Sequence, residues 1–212
     1  MTGSGACQGR PVRLARSVMS QPLSQTEASD EADLLRRYAE GDPPAARLLA
    51  ARLTPRIFGH AFRVLGNHAE AEDVAQEAMM RLWKAAKDWR NGEARVSTWV
   101  YRVTANLCID RLRKRGAVGL DDIVEPESPE PRPEERLQQN ARSDALQAAL
   151  MRLPDRQRQA VVLRHIDGLA NPEIAAILDI GVEAVESLTA RGKRALKQAL
   201  ESQRDALGFD DD

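Results

Sequence analysis

An all-α fold is predicted for this 212-residue chain by three observations. Apolar residues recur at three- and four-residue spacing over long stretches, the pattern of amphipathic helices. Turn formers gather between those stretches, at Gly41-Asp42-Pro43-Pro44, Gly66-Asn67 and Ile180-Gly181. Aromatic residues make up 4% and charged residues 30%, a composition suited to helices with solvated outer faces.

Residues 1–28 are rich in Gly, Ser, Gln and Thr without helical periodicity and read as a disordered tail. Met19 lies inside it, and initiation there would remove the most irregular part without touching a helix. From Asp30 the periodicity begins, with Leu34, Leu35 and Tyr38 leading to a stop at Gly41. Asp42 as cap and Pro43 in the first turn restart a helix carrying Leu48, Leu49, Leu53, Ile57, Phe58, Phe62 and Leu65. Pro55 predicts a kink or break within it. Gly66-Asn67 ends that helix, and Asn67-His68-Ala69-Glu70 resembles a capping box opening the next, which runs to about Trp89. After a loop from Arg90 to Val96, Ser97 caps a helix through about Arg115.

Residues 116–136 change character, with four prolines and seven acidic residues against two arginines. Such a segment cannot bury enough apolar surface to fold and reads as an extended acidic linker. Helical periodicity returns at Leu137 and runs to Leu153, Pro154 opens a further helix, and Gly168 ends it. The predicted organisation is therefore a first helical domain over 29–115 and a second over 137–204, with an acidic tail at 205–212.

The second domain carries a helix-turn-helix pattern between Leu169 and Leu200. Asn171 reads as an N-cap with Pro172 at the first helical position, and Ile174, Ala175 and Leu178 follow at helical spacing. Gly181 is free to take the positive φ of a tight turn. The helix from Val182 places Val185, Leu188, Gly192, Ala195 and Ala199 on its buried stripe. Its other face carries Glu183, Glu186, Ser187, Arg191, Lys193, Arg194 and Lys197. A short supporting helix, a turn and a longer polar-faced helix are the parts that place one helix in a major groove. The plain alternative is a helical hairpin with solvated charges.

The first domain adds a second signal. On the helix from Ser97, the residues Trp99, Val100, Val103, Leu107 and Leu112 form an apolar stripe. Arg102, Asn106, Asp110 and Arg113 share the opposite face, and the run ends in Arg111-Leu112-Arg113-Lys114-Arg115. A basic helix end suits both the helix dipole and phosphates. Trp83 and Trp99 sit at apolar positions and read as core, whereas Trp89, at the loop edge, suits core packing and base stacking equally. In the preceding helix, Val74, Ala78 and Leu82 make the apolar stripe, while Asp73, Gln76, Glu77, Met80, Arg81 and Lys84 point away. A mixed face of this kind is commonly only solvated, but an exposed Met among charges also suits a protein partner.

Several function classes are excluded. A net charge of −1 argues against a binder of polyanions with a basic surface all round, so nucleic-acid contacts must come from local patches. No apolar run approaches the roughly 18 residues of a membrane span, and no signal-like apolar core stands at the N-terminus, so membrane insertion is not expected. Cys7 and Cys108 form no metal-ligand pair, three scattered histidines supply none, and a reducing cytoplasmic setting follows. No Ser-His-Asp grouping, P-loop or glycine-rich phosphate cradle occurs, so neither an enzyme nor a cofactor or metal site is expected.

Two blocks of residues carry a family resemblance. The first is Ala71-Glu72-Asp73-Val74-Ala75-Gln76-Glu77 with Arg81-Leu82-Trp83, then Ser97 to Arg113. It resembles the polymerase-binding and promoter-reading helices of sigma factor domain two. The second, Leu153-Pro154-Asp155-Arg156-Gln157-Arg158 with the helix-turn-helix, looks like domain four. With two domains and a short linker, the chain resembles the extracytoplasmic-function (ECF, group IV) subfamily of the sigma-70 family over residues 30–200.

The resemblance implies binding to core RNA polymerase, through its β′ clamp helices and β flap, and sequence-specific promoter recognition. It assigns Asp73, Gln76, Glu77, Met80 and Arg81 to polymerase binding. Trp89, Asn91, Arg95, Arg102, Asn106, Arg113 and Lys114 would recognise and hold the opened non-template strand of the minus-ten element. Glu183, Glu186, Ser187, Ala190, Arg191, Lys193 and Arg194 would read the minus-35 element as duplex. The linker would lie in the channel of emerging RNA, and an anti-sigma factor would hold the protein in a stress or envelope response. One departure stands out: Glu186 occupies a position where the family commonly carries a basic residue. A glutamate there either accepts from a cytosine N4 or stays in solvent or on Arg191. A sigma-like module that titrates an anti-sigma factor without binding DNA is the alternative, which the retained Arg102, Asn106, Arg111, Arg113 and Lys114 disfavour. An ordinary helix-turn-helix repressor would leave the whole first domain unexplained.

Overall fold

The computed structural model describes residues 25–90, 95–118 and 134–201, and among these the regular structure is helical throughout. Four helices come first: α1 (Gln25–Ala39), α2 (Pro43–Leu65), α3 (His68–Ala85) and α4 (Val96–Val118). Four follow: α5 (Glu134–Met151), α6 (Asp155–Val161), α7 (Asn171–Leu178) and α8 (Val182–Glu201).

The boundaries follow local chemistry, in places differently from the sequence reading. Helix α1 starts inside the expected tail, while residues 1–24, the interval 119–133 and the acidic tail lie outside the described residues. The linker expected at 116–136 gives up both ends to helix, since α4 runs to Val118 and α5 starts at Glu134. Asp42 precedes α2 in extended conformation but caps nothing, because its carboxylate accepts from Arg37 at 2.6 Å instead. Helix α2 continues through Pro55 without a break and ends at Gly66, whose φ of 69° lies in the left-handed region that glycine tolerates. Asn67 caps α3 by accepting from the Glu70 amide at 2.9 Å, but the reciprocal half of the box is absent. The Glu70 carboxylate pairs instead with Arg115 at 2.6 Å. Helix α3 stops at Ala85 and a 3-10 turn, Ala86–Asp88, carries the chain to Trp89. Ser97 is no cap, because α4 already begins at Val96 and the serine is buried in its first turn.

Two clusters form the first core. Leu34, Leu35, Leu49, Leu53, Ile57, Leu82 and Val100 fill one, and Ala61, Val64, Leu65, Val74 and Cys108 the other. Each fully buried leucine or isoleucine contributes about 1.5–3 kcal/mol relative to exposure. Burial pushes the Cys108 thiol up to about 12, so it serves as a small apolar side chain. Glu31 is also buried, 3.6 Å from Arg56; burial raises its pKa, and Arg56 opposes that rise.

In the second half, Leu150, Leu153, Val161 and Val162 pack together around Arg158, which is 2% exposed. Its guanidinium donates to the Leu153 carbonyl at 3.2 Å and pairs with Asp155 at 2.6 Å, tying the end of α5 to α6. Burial lowers its pKa and Asp155 counters the effect. After α6 the chain widens into a π turn, Val162–Ile166, in which the Asp167 amide donates to the Val162 carbonyl at 2.9 Å. Helix α8 leans on α6 so closely that a Cβ on Gly192 would lie 2.5 Å from Val161 Cγ2.

Candidate nucleic-acid interface

The residues expected to meet polymerase share one face of α3. Val74, Ala78 and Leu82 on the opposite face are fully buried, which turns Asp73, Gln76, Met80 and Arg81 outward. Met80 is 51% exposed and stands among charged residues. Glu77 is half-buried and accepts from Arg81 at 2.8 Å, while Asp73 lies 3.4 Å from Arg111 of α4.

On α4, Arg102, Asn106, Arg113 and Lys114 are all exposed, as the helical spacing requires. Arg113 also donates to Asp110 at 2.8 Å. The rest of the helix departs from the single stripe read in the sequence, because Tyr101, Thr104, Ala105 and Cys108 are buried as well. Tyr101 and Ala105 pack against α7 and its neighbours, so α4 is covered on two sides and presents a narrow polar strip. Trp89 resolves as partly buried against the first core, edge-on to Trp99 with ring centroids 5.9 Å apart. Its Nε1 is buried without a partner, and a recess of about 310 Å³ beside it is lined by Arg36, Ala39, Glu40, Ala86 and Lys87. Arg95 is exposed but joined across the molecule to Glu173 of α7 at 3.3 Å. Asn91 lies outside the described residues.

The helix-turn-helix is formed, with three local corrections. Ala170, not Asn171, is the cap of α7, and its amide donates to the Glu173 side chain at 3.0 Å. The positive φ of the turn falls on Asp179 at 54° rather than on Gly181, since an aspartate tolerates the left-handed region. Ala195 is exposed, and Leu196 packs inward in its place. Only Val185 and Gly192 of α8 are buried. Glu183, Glu186, Ser187, Ala190, Arg191, Lys193 and Arg194 are therefore exposed together along one helix. Arg191 and Arg194 lie back along α8, donating to the carbonyls of Ser187 at 3.2 Å and Ala190 at 3.4 Å. Glu186 meets neither Arg191 nor open solvent alone: Asn171 Nδ2 donates to its Oε1 at 3.3 Å. Asn171 thus enters the site as a residue the sequence reading placed only as a cap. No spacing rule links it to a side chain on the next helix.

Two exposed polar helix faces, one on a packed helical bundle and one on a helix-turn-helix, are the candidate recognition surfaces of a two-part helical protein. The sequence comparisons specify the class. The sigma-70 region 2 family matches residues 49–118, and the sigma-70 region 4 family matches residues 143–196. The chain is 32% identical over 177 residues to the ECF RNA polymerase sigma factor SigW of Bacillus subtilis, covering 78% of this chain and 94% of that one. It is 32% identical over 206 residues to ECF sigma factor SigE of Mycolicibacterium smegmatis, covering 92% and 78% respectively. Among solved structures, CnrH in complex with the cytosolic domain of CnrY superposes with a TM-score of 0.60 at 26% identity, over 82% of this chain and 98% of that one. The Bartonella quintana sigma factor RpoE, in complex with the anti-sigma factor NepR, shares the fold with a TM-score of 0.59 at 24% identity, over 74% and 98%. The chain belongs to the ECF subfamily of the sigma-70 family, and it acts as a non-enzymatic promoter-specificity subunit of RNA polymerase.

Proposed function

We propose that this sigma factor divides its work among three helices. The outer face of α3, with Asp73, Gln76, Glu77, Met80 and Arg81, docks on the β′ clamp helices of core polymerase. Residues Trp89 to Arg95, with Arg102, Asn106, Arg113 and Lys114 of α4, hold the opened non-template strand of the minus-ten element. The exposed face of α8 reads the minus-35 element as duplex, while its half of the chain meets the β flap. The acidic residues between α4 and α5 follow the RNA channel. On this reading residues 29–115 and 137–204 are the two working domains, and the protein acts in the cytoplasm, where polymerase works. An anti-sigma factor holds it until a stress or envelope signal arrives, a regulation supported by structural neighbours solved with CnrY and NepR.

The observation that carries the reading is the pairing of exposure with burial. The polar strips of α4 and α8 face outward because their backs are packed, and they lie in the two matched family regions in the expected order. Single-round transcription with core polymerase on a promoter library tests it. The intact chain should select promoters by their minus-ten and minus-35 sequences. A chain lacking the charges of Arg191, Lys193 and Arg194 should lose minus-35 dependence first. Promoter choice unaffected by that triple change would contradict the assignment.

A further inference from the structure

Three basic side chains gather on one side of α8, and two of them lie outside the recognition helices. Lys193 belongs to α8, while Arg164 and His165 belong to the π turn after α6, and all three are exposed. Val161, one turn before His165, is the residue that a Cβ on Gly192 would meet at 2.5 Å. The π turn therefore continues the side of α6 that packs on α8, and Lys193 follows Gly192 directly. Glu186 and Lys193 stand two helical turns apart, so they project from the same side of α8. Asn171 donates to Glu186 at 3.3 Å, which fixes the far end of the same segment. The chain from Arg164 to Asn171 thus runs beside α8 as a second layer on that flank.

Charge sets this layer apart. Many arginines of the molecule are held by carboxylates, as Arg37 is by Asp42 and Arg115 by Glu70. Among the described residues no carboxylate pairs with Arg164, His165 or Lys193, because the acids of the neighbouring turns are committed. Asp167 lies 2.8 Å from His60, Glu173 pairs with Arg95 at 3.3 Å, and Glu186 is taken by Asn171. Arg164 donates to the Leu169 carbonyl at 2.9 Å, which steadies its guanidinium without neutralising it. Partial desolvation, and then the charges of Lys193 and Arg164, lower the pKa of His165 from 6.5. The free chain therefore carries this imidazole uncharged at neutral pH.

The cluster lacks an anion, and its position offers one. A helix with its side chains is about 10–12 Å across, and the major groove is about 12 Å wide. A helix that fills the groove turns one face to base edges and its flanks to the two phosphate strands. We propose that His165, with Arg164 and Lys193, grips a backbone phosphate of the duplex that α8 enters. This rests on the reading of α8 as the minus-35 helix. The phosphate is the negative partner that the surrounding acids do not provide, and it also outweighs the repulsion of Glu186 for that strand. Beside it the imidazole takes a proton from solvent and donates a charge-assisted hydrogen bond to a phosphate oxygen. A histidine suits this place, because a third fixed cation would repel Lys193 and Arg164 whenever DNA is absent. Bound DNA raises the pKa of His165, so promoter affinity rises as pH falls through the bound value and levels off below the free one.

Equilibrium binding of the holoenzyme to a fluorescent promoter fragment, at about pH 6 and about pH 8 in about 0.15 M salt, tests the proposal. On acidification wild type should gain about three- to fivefold more affinity than His165→Gln gains. His165→Arg, whose charge does not titrate, should hold the tighter affinity at both pH values. Because residue 165 is exposed, both variants should melt like wild type. A methylphosphonate scan of the promoter duplex, which removes one phosphate charge at a time, locates the contact. One substitution should erase the pH-linked gain of wild type and leave His165→Gln unchanged. An equal pH response in wild type and His165→Gln would overturn the clamp, as would a gain that no single methylphosphonate erases. Either result, beside loss of minus-35 dependence in the triple change of Arg191, Lys193 and Arg194, leaves the reading of α8 standing. A pH-linked gain that maps to a phosphate outside the minus-35 element would uphold the clamp and refute that reading.

Discussion

Helices α4 and α8 are assigned the same kind of work but are held in different ways. Helix α4 is wedged: Val96, Val100, Tyr101, Thr104, Ala105 and Cys108 are buried, partly against α2 and α3 and partly against the C-terminal half. Helix α8 is supported along one face by α5, α6 and α7, where Val185 and Gly192 are its only buried residues. A wedged helix suits the holding of an opened strand, where small shifts in Arg102 or Asn106 would misplace unstacked bases. A helix supported on one face leaves the opposite face available to a groove. Errors on α4 should therefore spread into the core, and errors on α8 should stay local unless they strike its one support.

The sharpest way to break this contrast is at that support. Gly192→Val should destabilise the C-terminal half by about 1–3 kcal/mol, because the new side chain meets Val161 and the Gln157 carbonyl. Denaturant melts should show the loss, and minus-35-dependent transcription should fall while core-polymerase binding through α3 persists. An unchanged melt would mean that α8 is free to move off α6.

A smaller effect is expected on the third surface. Gln76→Ala with Glu77→Ala should weaken core-polymerase affinity by about 1–2 kcal/mol with little change in melting, because Gln76 is exposed and Glu77 half-buried. Affinity equal to wild type in a titration would remove α3 from the interface. Glu186→Lys should follow, with an effect under about 1 kcal/mol, because the carboxylate is exposed and already engaged by Asn171. Activity should rise alike on all promoters. A changed ranking at one minus-35 position would instead assign Glu186 to base reading.

The smallest effect lies in the N-terminal core. Burial raises the pKa of Glu31 from 4.5, so the folded state holds this proton more tightly than the unfolded chain. Its contribution is greatest below the unfolded value and is lost as pH rises through the folded value. As pH rises above 4.5, wild type should therefore lose stability relative to Glu31→Gln. Parallel pH profiles of the two proteins in urea melts would show that Glu31 does not report on this core.

The same contrast explains what the sequence could tell. The stripe of α8 was legible because one partner face makes one period, and Ala195 alone was misplaced. On α4 the first stripe was legible and the second was not, because Tyr101 and Ala105 are buried by residues distant in sequence, from His60 to Ile177. Helix ends set by glycine at Gly41 and Gly66 could be read, since a left-handed residue is a local need. Caps at Asp42, Ser97 and Asn171 could not, because Arg37, the first turn of α4 and Glu173 each supply a different solution. The His60–Asp167 contact has no local signature at all.

Site-specific photocrosslinking tests the division of labour between α4 and α8 most directly. A crosslinker at Asp110 of α4 and another at Ala190 of α8, both exposed positions, would be mapped on promoter DNA in the assembled polymerase complex. Adducts are expected from Asp110 on the non-template strand at the minus-ten element and from Ala190 within the minus-35 duplex. Adducts from both positions in one element, or adducts from Ala190 scattered without regard to promoter sequence, would contradict it.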